Sequence, residues 1–335
     1  MRAIRLRQPA SLKNLYLDSI EASPPRPDEI QVRIKGASIN FRDGLIVNGF
    51  FPADNGLIPL SDGAGEVTAI GDNVKEFAIG DRVISTFHPN WLTGHIERTQ
   101  LNNSPGGPAD GFACDMVTRP ADHFTLAPQH LSFTESATLT CAGVTAWRAV
   151  AVDANVKAGD SVLVLGTGGV SLFALQFAKA AGAKVIAISS TDQKMEQLEH
   201  MGADHVINYT KTDNWGDAAL SLTNGVGVDV VVEVGGPNTM AQSLKACRTH
   251  AHVAIIGAAA GFDIDTIPFA AIQAKRLRLQ GVTVGSRADQ IAMVKAMELH
   301  HIKPHICASY PLESLAEAIN TLNSNNHFGK ITIDF

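Results

Sequence analysis

The sequence of 335 residues is poor in cysteine, in charge and in long apolar runs. Its four cysteines, Cys114, Cys141, Cys247 and Cys307, are widely separated and contain no C-x-x-C pair. That spacing indicates neither a disulfide framework nor a zinc ribbon, and it predicts a reducing cytoplasm. Charged residues make up only 18% of the chain and the net charge is −6, so no basic excess predicts a nucleic-acid partner.

The sequence also has no pattern typical of a membrane-spanning helix or a signal peptide. No apolar run approaches the roughly 20 residues that a membrane helix needs. The first residues, MRAIRLRQPA, alternate like a strand and lack the apolar core of a signal peptide. With 45% hydrophobic residues the composition is that of a globular protein, and 335 residues are too many for one compact core. The sequence therefore predicts a protein of two domains without a membrane segment.

The N-terminal part has the pattern of a compact β-rich domain. Strands are predicted at residues 3–7, 15–20 and 30–37, and repeated Gly-Asp turns lead into further strands. Residues 87–112 are rich in Pro, Gly, Asn and His and show no periodicity. Loops of this length in a compact domain are usually functional, so we interpret this one as a lid or cleft wall.

After Ser132 the pattern changes to alternating strands and helices. A helix over 133–151 is followed by strands at 162–165, 184–188, 205–207, 228–234, 253–256 and 277–284. The intervening helices are predicted at 170–181, 192–201, 217–222 and 240–246. This alternation predicts an α/β domain with a doubly wound parallel sheet. Helices at 288–299 and 312–323 and a last strand at 330–334 are expected to fold back on the first domain.

A glycine-rich turn between the strand 162–165 and the helix after it is the strongest functional signal. Gly166-Thr167-Gly168-Gly169 turns the chain, and Val170 opens the helix. In that context, backbone N–H groups at the helix start bind a diphosphate, and glycines let it approach the backbone. Ser171 stands where the G-x-G-x-x-G pattern has its third glycine, a position that a small residue can fill. The alternative is a glycine-rich turn that binds nothing.

The end of the next strand indicates which dinucleotide binds. An NAD site usually has an acidic residue here to accept from the ribose 2′-hydroxyl. This chain instead has Ser189 and Ser190, with Lys194 one turn later, a set that suits the 2′-phosphate of NADPH. The alternative is that Lys194 is solvated and that the protein takes NADPH or NADH. Gly235, Gly257 and Ala258 end the following strands, where open α/β sheets bind ligands.

Eight segments in order carry a family resemblance: SINFRDGLIVNG, IPLSDGAGEV, IGDRV, LTCAGVTAW, VLGTGGVSLFALQFAKAAGAKVI, LEHMGADHVINY, LRLQGVTVGSR and HFGKITI. With them the chain resembles the medium-chain dehydrogenase/reductase superfamily. The likeness is greatest to its zinc-free branch of quinone oxidoreductases and zeta-crystallin, and to a neighbouring group of NAD(P)-dependent alcohol dehydrogenases. The resemblance implies a GroES-like catalytic domain over 1–125, a Rossmann NAD(P)-binding domain over 126–284 and a C-terminal return over 285–335, with the active site in the cleft. It also implies a homodimer that pairs through the strand 277–284.

The resemblance provides a test for zinc. Zinc-dependent members have a cysteine where this chain has Asn40 and a His-Glu pair where it has Ser61 and Asp62. Only the third ligand position, Cys141, still holds a cysteine. A catalytic zinc ion needs three protein ligands of good N, S or O type, so the sequence predicts that no metal is bound. We interpret Cys141 as an inert buried thiol.

Without zinc, hydrogen bonds must stabilise negative charge that develops on oxygen. The resemblance assigns Asn40 to the nicotinamide or the substrate carbonyl. It makes Arg42 and Asp43 a polar pair that shapes the loop or relays a proton, with a purely structural ion pair as the alternative. The predicted catalytic residues are thus Asn40, Arg42 and Asp43. The predicted cofactor-binding residues are Asn40, Thr145, Gly166, Thr167, Gly168, Gly169, Val170, Ser189, Ser190, Lys194, Tyr209, Gly235, Gly257, Ala258, Val284, Ser286, Arg287 and Lys330.

Three functions remain open at this point. The favoured one is a zinc-independent, NADPH-dependent reductase of quinones or α,β-unsaturated carbonyl compounds, where the charge is delocalised and a strong Lewis acid matters less. The second is a metal-free NAD(P)-dependent alcohol or aldehyde dehydrogenase. The third is an NADPH-binding protein without catalytic activity.

Overall fold

The computed structural model describes residues 1–259, 261 and 267–335. Backbone contacts divide the chain into two compact units, which are residues 1–144 with 284–335 (unit 1) and residues 145–283 (unit 2). The strands are β1 Arg2–Leu6, β2 Leu15–Ser19, β3 Glu29–Ile39, β4 Asp62–Ile70, β5 Arg82–Ser85, β6 Met116–Pro120, β7 Phe124–Leu126, β8 Ser161–Leu165, β9 Lys184–Ser189, β10 His205–Asn208, β11 Val228–Glu233, β12 Cys247–Ile255, β13 Arg278–Gly281, β14 Ile306–Pro311 and β15 Lys330–Asp334. The α-helices are α1 Phe41–Val47, α2 Phe133–Ala137, α3 Val144–Trp147, α4 Gly169–Ala180, α5 Asp192–His200, α6 Trp215–Leu222, α7 Pro237–Ala246, α8 Phe269–Lys275, α9 Arg287–His300 and α10 Leu315–Asn323.

Unit 1 is built around the long strand β3. The sheet order is β14-β15-β3-β4-β5-β7, β6 also pairs with β3, and β1 and β2 form a separate hairpin. Along β3 the apolar residues Ile30, Val32 and Ile34 alternate with polar ones and are buried in the core. Each such side chain contributes roughly 2 kcal/mol by leaving water. The last strand, β15, lies antiparallel to β3, with Ile331 opposite Ile39, so it joins the sheet of unit 1.

Unit 2 contains a parallel sheet in the order β10-β9-β8-β11-β12-β13. The sequence of strands reverses between β8 and β11, which makes that point the topological switch where such sheets bind ligands. β8 reads SVLVL and its four apolar residues are buried, as a strand covered on both faces requires. The predicted doubly wound α/β fold is confirmed.

The last strand of this sheet is shorter than the apolar run suggested. Residues 277–284 were expected to form it, but β13 spans only Arg278–Gly281. Val284 has a left-handed backbone with φ of 56°, a conformation that a β-branched residue rarely adopts and that a strand cannot contain. The helical stretch predicted at 133–151 is present, but π-helical turns at Leu139–Gly143 and Arg148–Asp153 interrupt it.

The end of the long loop is packed onto the segment that leads into β4. Leu60 is fully buried and has a left-handed backbone with φ of 73°. Its carbonyl accepts from the N–H of Phe112 at 2.9 Å, and the N–H of Gly111 donates to Ile58 O at 2.6 Å. A Cβ at Gly111 would lie 2.1 Å from the Leu60 oxygen, so only glycine fits there. These contacts fix the backbone immediately before Ser61.

Within the part of the chain that the structure describes, no helix is both long enough and apolar enough to cross a membrane.

Candidate active site

A buried polar cluster forms in unit 1 where β3 ends and α1 begins. Asn40 is the N-cap of α1, and its N–H donates to Asp43 Oδ2 at 2.8 Å. Lys330 opens β15 next to the end of β3, because the antiparallel register places Ile331 opposite Ile39. The Lys330 ammonium donates to Asn40 Oδ1 at 2.6 Å and to the Ile39 carbonyl at 2.6 Å. Only 5% of Lys330 is exposed, so this cation is fixed inside the unit.

The start of β4 completes the cluster. Asp62 lies opposite Ser38 in the β3–β4 register, and the Ser38 hydroxyl donates to Asp62 Oδ2 at 2.8 Å. The Ser61 hydroxyl donates to Asp62 Oδ1 at 2.7 Å. Asn40 Nδ2 donates to Ser61 Oγ at 3.4 Å. A connected set of hydrogen bonds therefore runs from Lys330 through Asn40 and Ser61 to Asp62; we call it the Lys330–Asp62 chain.

Asp43 is a buried carboxyl with an unusual environment. It is 1% exposed, and its Oδ1 has no hydrogen-bond partner among the described residues. Burial raises the pKa of Asp43 from its ordinary 3.8 to about 6, against the opposing charge of Arg42. The Arg42 guanidinium donates to the carbonyls of Pro105 at 2.9 Å and Gly107 at 2.5 Å. Arg42 thus anchors the long loop and acts on Asp43 through its charge.

The side chains at the positions that the resemblance matches to zinc ligands do not suit a zinc ion. Asn40 Oδ1 already accepts from the Lys330 ammonium, and both oxygens of Asp62 accept from serine hydroxyls. Burial raises the pKa of the Cys141 thiol far above its ordinary value, so without a metal ion this thiol stays protonated at neutral pH. Among the described residues, no group of three His, Cys, Asp or Glu side chains could hold a metal ion.

The glycine-rich turn of unit 2 has the features of a phosphate cradle. Gly166 has φ of 73°, and a Cβ at Gly166 or Gly168 would meet nothing within 4 Å. Gly168 is the N-cap of α4 and provides no side-chain cap, so the first N–H groups of that helix can bind an anion. Ser171 is buried and donates to the Leu165 carbonyl at 2.6 Å. That bond ties helix to strand and explains how serine fills the third glycine position.

The other predicted cofactor residues of unit 2 follow the ends of neighbouring parallel strands. Ser189 is buried, and its carbonyl accepts from the Tyr209 N–H at 3.0 Å. Thr191 caps α5 by accepting from the Lys194 N–H. Because all these strands run in the same direction, their ends meet at one edge of the sheet. The residues at that edge are Gly166, Thr167, Gly168, Gly169, Val170, Ser189, Ser190, Lys194, Tyr209, Gly235, Gly257 and Ala258.

Two acidic groups at this edge were missed from the sequence. Glu233 ends β11 and is fully buried; its Oε1 accepts from the N–H groups of Gly235 and Gly236 and from the Thr239 hydroxyl. Its position at the end of the strand segment VDVVVE, one residue before Gly235 and Gly236, was the available signal. Asp192 accepts from Asn208 at 2.9 Å and pairs with Lys211 at 2.6 Å, which lowers its pKa. Only the folded chain brings Lys211 to it.

Four further predicted residues belong to other parts of the chain than this sheet. Thr145 is buried on α3. Val284 has the left-handed backbone described above, and Ser286 caps α9 by accepting from the Asp289 N–H at 3.1 Å. Arg287 donates to the Phe124 carbonyl at 2.9 Å and pairs with Glu76. Their contact with a cofactor stays a prediction.

Comparison with known proteins agrees with this geometry. The family model of the alcohol dehydrogenase GroES-like domain matches residues 26–129, and that of the zinc-binding dehydrogenase matches residues 169–299. A zinc-type alcohol dehydrogenase-like protein of Schizosaccharomyces pombe is 39% identical over 92% of this chain and 91% of its own length.

Solved structures extend the comparison. A putative alcohol dehydrogenase of Sinorhizobium meliloti is 36% identical, with a TM-score of 0.92 over 100% of this chain and 99% of that one. An NAD-dependent alcohol dehydrogenase is 30% identical, also with a TM-score of 0.92, over 100% of both chains. A parallel sheet with a phosphate cradle and a GroES-like unit together define a dehydrogenase that uses a pyridine nucleotide. The chain belongs to the medium-chain dehydrogenase/reductase superfamily.

Proposed function

We propose that this protein is a zinc-independent, NADPH-dependent oxidoreductase that transfers hydride to a quinone or an α,β-unsaturated carbonyl compound. The observation that carries the proposal is the Lys330–Asp62 chain. It contains Asn40, Ser61 and Asp62, which the resemblance matches to metal-ligand positions of zinc-dependent members. In this protein these side chains are hydrogen-bonded to one another and to the Lys330 ammonium group. A hydrogen-bond donor such as the Asn40 amide can stabilise the delocalised charge of an enolate or a hydroquinone anion.

The roles of the residues follow from their environments. When bound, the reduced nicotinamide supplies the hydride. Asn40 donates to the substrate oxygen as the electron pair moves onto it. Asp43, with a pKa of about 6, can hold or release a proton near neutral pH, and we assign it the proton relay. Arg42 holds the loop carbonyls of Pro105 and Gly107 and so shapes the substrate side.

Unit 2 would hold the cofactor. The turn Gly166–Val170 takes the diphosphate, and Ser189, Ser190 and Lys194 take the adenosine ribose with its 2′-phosphate. Tyr209 is 43% exposed beside Ser189 and offers a ring to the adenine. The remaining cofactor contacts that we propose are Gly235, Gly257, Ala258 and Thr145 of unit 2, together with Val284, Ser286 and Arg287 of unit 1.

Gly168→Ala tests the phosphate cradle. The residue has φ of −75° and a Cβ there meets no protein atom within 4 Å, so folding stability is expected to be unchanged. The methyl group would occupy the space of the diphosphate, and NADPH affinity is expected to fall by more than about tenfold. Isothermal titration with NADPH measures the affinity and thermal unfolding measures the stability. Equal NADPH affinity of Gly168→Ala and the wild type would contradict the cradle.

A panel of substrates tests the reaction. NADPH and NADH oxidation is followed with quinones, enones and simple aldehydes, and the zinc content of the purified protein is measured. We expect quinones and enones to react fastest, NADPH to exceed NADH, and Ser190→Ala with Lys194→Met to remove that preference. One equivalent of tightly bound zinc, or equal use of both cofactors by the wild type, argues against the proposal.

Alcohol or aldehyde oxidoreduction is the second candidate function. It is favoured by two solved relatives, a putative alcohol dehydrogenase at 36% identity and an NAD-dependent alcohol dehydrogenase at 30% identity. The same panel decides between the two, since this candidate requires aldehydes or alcohols to be turned over faster than enones and quinones. Binding of NADPH without turnover of any compound would leave only a binding role.

We also propose a homodimer that pairs through β13. This strand forms an edge of its sheet and is hydrogen-bonded to β12 on one side. Phe269, at the start of the neighbouring α8, is 75% exposed. Unpaired edges and exposed aromatic rings are usually covered in an assembly. Light scattering that gives the mass of a monomer at micromolar concentration would refute it.

A further inference from the structure

We infer that Lys330 is a positioning residue, which holds the Asn40 amide with its oxygen inward and its Nδ2 toward the reacting oxygen. The inference rests on the proposed function of Asn40 and adds a role that differs from the cofactor contact predicted for Lys330. Three observations carry it: the donor-only character of the ammonium, the direction of the Lys330–Asp62 chain, and the burial of its members.

The ammonium fixes the orientation of the amide at one end. A lysine ammonium has three donors and no acceptor, so only an oxygen can face it at hydrogen-bond distance. Its 2.6 Å contact with the Asn40 side chain therefore has to be made by Oδ1. The usual ambiguity between the O and N atoms of an asparagine amide is removed by chemistry. Asn40 Nδ2 must point the other way.

The carboxylate fixes the orientation at the other end. Ser61 donates its hydroxyl hydrogen to Asp62 Oδ1 at 2.7 Å, which leaves its lone pairs for Asn40 Nδ2. Ser38 donates to Asp62 Oδ2 at 2.8 Å, so both carboxylate oxygens are occupied. Every bond runs from the ammonium toward the carboxylate. A flipped amide would place its NH₂ group against the ammonium. It would also place its oxygen against the lone pairs of the Ser61 hydroxyl, whose hydrogen is already donated to Asp62.

This arrangement leaves one donor for chemistry. The Asn40 amide has two Nδ2 hydrogens, and Ser61 takes one of them at the long distance of 3.4 Å. The second can be given to a substrate or nicotinamide oxygen. Because Lys330 carries a full positive charge and is 5% exposed, it polarises the amide and makes that N–H a better donor. Its two bonds to Ile39 and Asn40 turn the ammonium into unit 1.

A double-mutant cycle tests the inference. With 1,4-benzoquinone and NADPH as probes, Lys330→Met is expected to lower kcat about tenfold or more and to change KM less. In the Asn40→Ala background the same substitution is expected to change kcat by less than about twofold, because its target is gone. Independent losses that multiply in the double variant overturn the inference. So does a Lys330→Met variant with normal kcat and weakened NADPH binding, since that result assigns the lysine to the cofactor.

A second readout does not depend on turnover. In protein labelled with ¹⁵N-asparagine, the Asn40 side-chain signal is identified by its loss in Asn40→Ala. Lys330→Met is expected to shift this signal, whereas Lys13→Met, at an exposed position, is not. An unshifted signal overturns the inference even when the enzyme is active. A shifted signal in a protein that reduces none of the panel compounds would support the positioning and reject the proposed function.

Lys330→Gln keeps the experiment informative if the methionine variant fails to fold. Its amide can still donate to Asn40 Oδ1 but carries no charge. We expect this variant to have a lower kcat than the wild type, and we expect that loss to be much smaller in the Asn40→Ala background. A loss of kcat in Lys330→Gln that persists unchanged in the Asn40→Ala background contradicts the inference.

Discussion

Replacing Asp43 by asparagine is expected to abolish a pH-dependent loss of stability of about 2.5 kcal/mol between pH 4 and pH 8. Burial raises the pKa of this carboxyl from 3.8 to about 6, with a smaller opposing contribution from Arg42. Only 1% of the residue is exposed, and its Oδ1 has no partner among the described residues. The ionised form is therefore penalised in the folded state.

The direction of the pH effect follows from the two pKa values of Asp43, which are 3.8 in the unfolded chain and about 6 in the folded protein. Between pH 4 and pH 6 the folded protein keeps a proton on Asp43 that the unfolded chain releases, so stability falls as the pH rises through this window. Well below pH 3.8 both states are protonated and the penalty vanishes. Well above pH 6 both are ionised and the penalty is complete. Each pH unit of difference between the two pKa values corresponds to about 1.4 kcal/mol.

The measurement is the free energy of unfolding in urea at several pH values for wild type and Asp43→Asn. The asparagine leaves a buried amide without a full set of partners, which costs a constant amount. Comparing the difference between the two proteins at pH 4 and at pH 8 cancels that constant. Asp54→Asn, at an exposed carboxylate, is the control for the loss of one negative charge. A mutational effect that is the same at pH 4 and pH 8 would reject the raised pKa.

The fold was predictable from the sequence because its signals are local. Some twenty residues contain the apolar run VLVL, the turn Gly166–Gly169 and the helix after them. Each of these signals can be recognised without the others. Six parallel strands in a doubly wound order then follow from the alternation of strands and helices. The strand at 277–284 was predicted too long because an apolar run does not reveal the backbone reversal at Val284.

The connections inside the candidate site were not predictable in the same way. Asn40 and Ser61 were singled out from the sequence, but the cation beside them is 290 positions away in the chain. Lys330 reaches Asn40 only because β15 pairs with β3. The same reason hid the Asp192–Lys211 pair, which depends on the contact of two strand ends. Residue type and spacing thus identify candidate groups in the sequence. Their hydrogen-bond partners can be predicted only when the register of the sheet is known.

Asn40→Asp is expected to lower kcat for quinone reduction by about a hundredfold or more, as much as Asn40→Ala. The two substitutions differ in what they leave in place. Aspartate has nearly the same shape, keeps an oxygen toward the Lys330 ammonium and retains the N-cap of α1. It removes only the N–H donor and adds a negative charge where negative charge must develop. Alanine removes the whole amide and leaves the ammonium bonded to the Ile39 carbonyl.

The comparison therefore separates donation from shape. If Asn40 acts by giving a hydrogen bond to the reacting oxygen, both variants lose that hydrogen bond and its transition-state stabilisation, and NADPH affinity stays within about threefold. If Asn40 served only to hold α1 and Lys330 in place, the aspartate variant would keep near wild-type kcat. Steady-state kinetics with the quinone, together with NADPH titration of each variant, distinguishes these outcomes. An active Asn40→Asp would remove the amide from the chemistry, and with it the reason for a buried cation behind that amide.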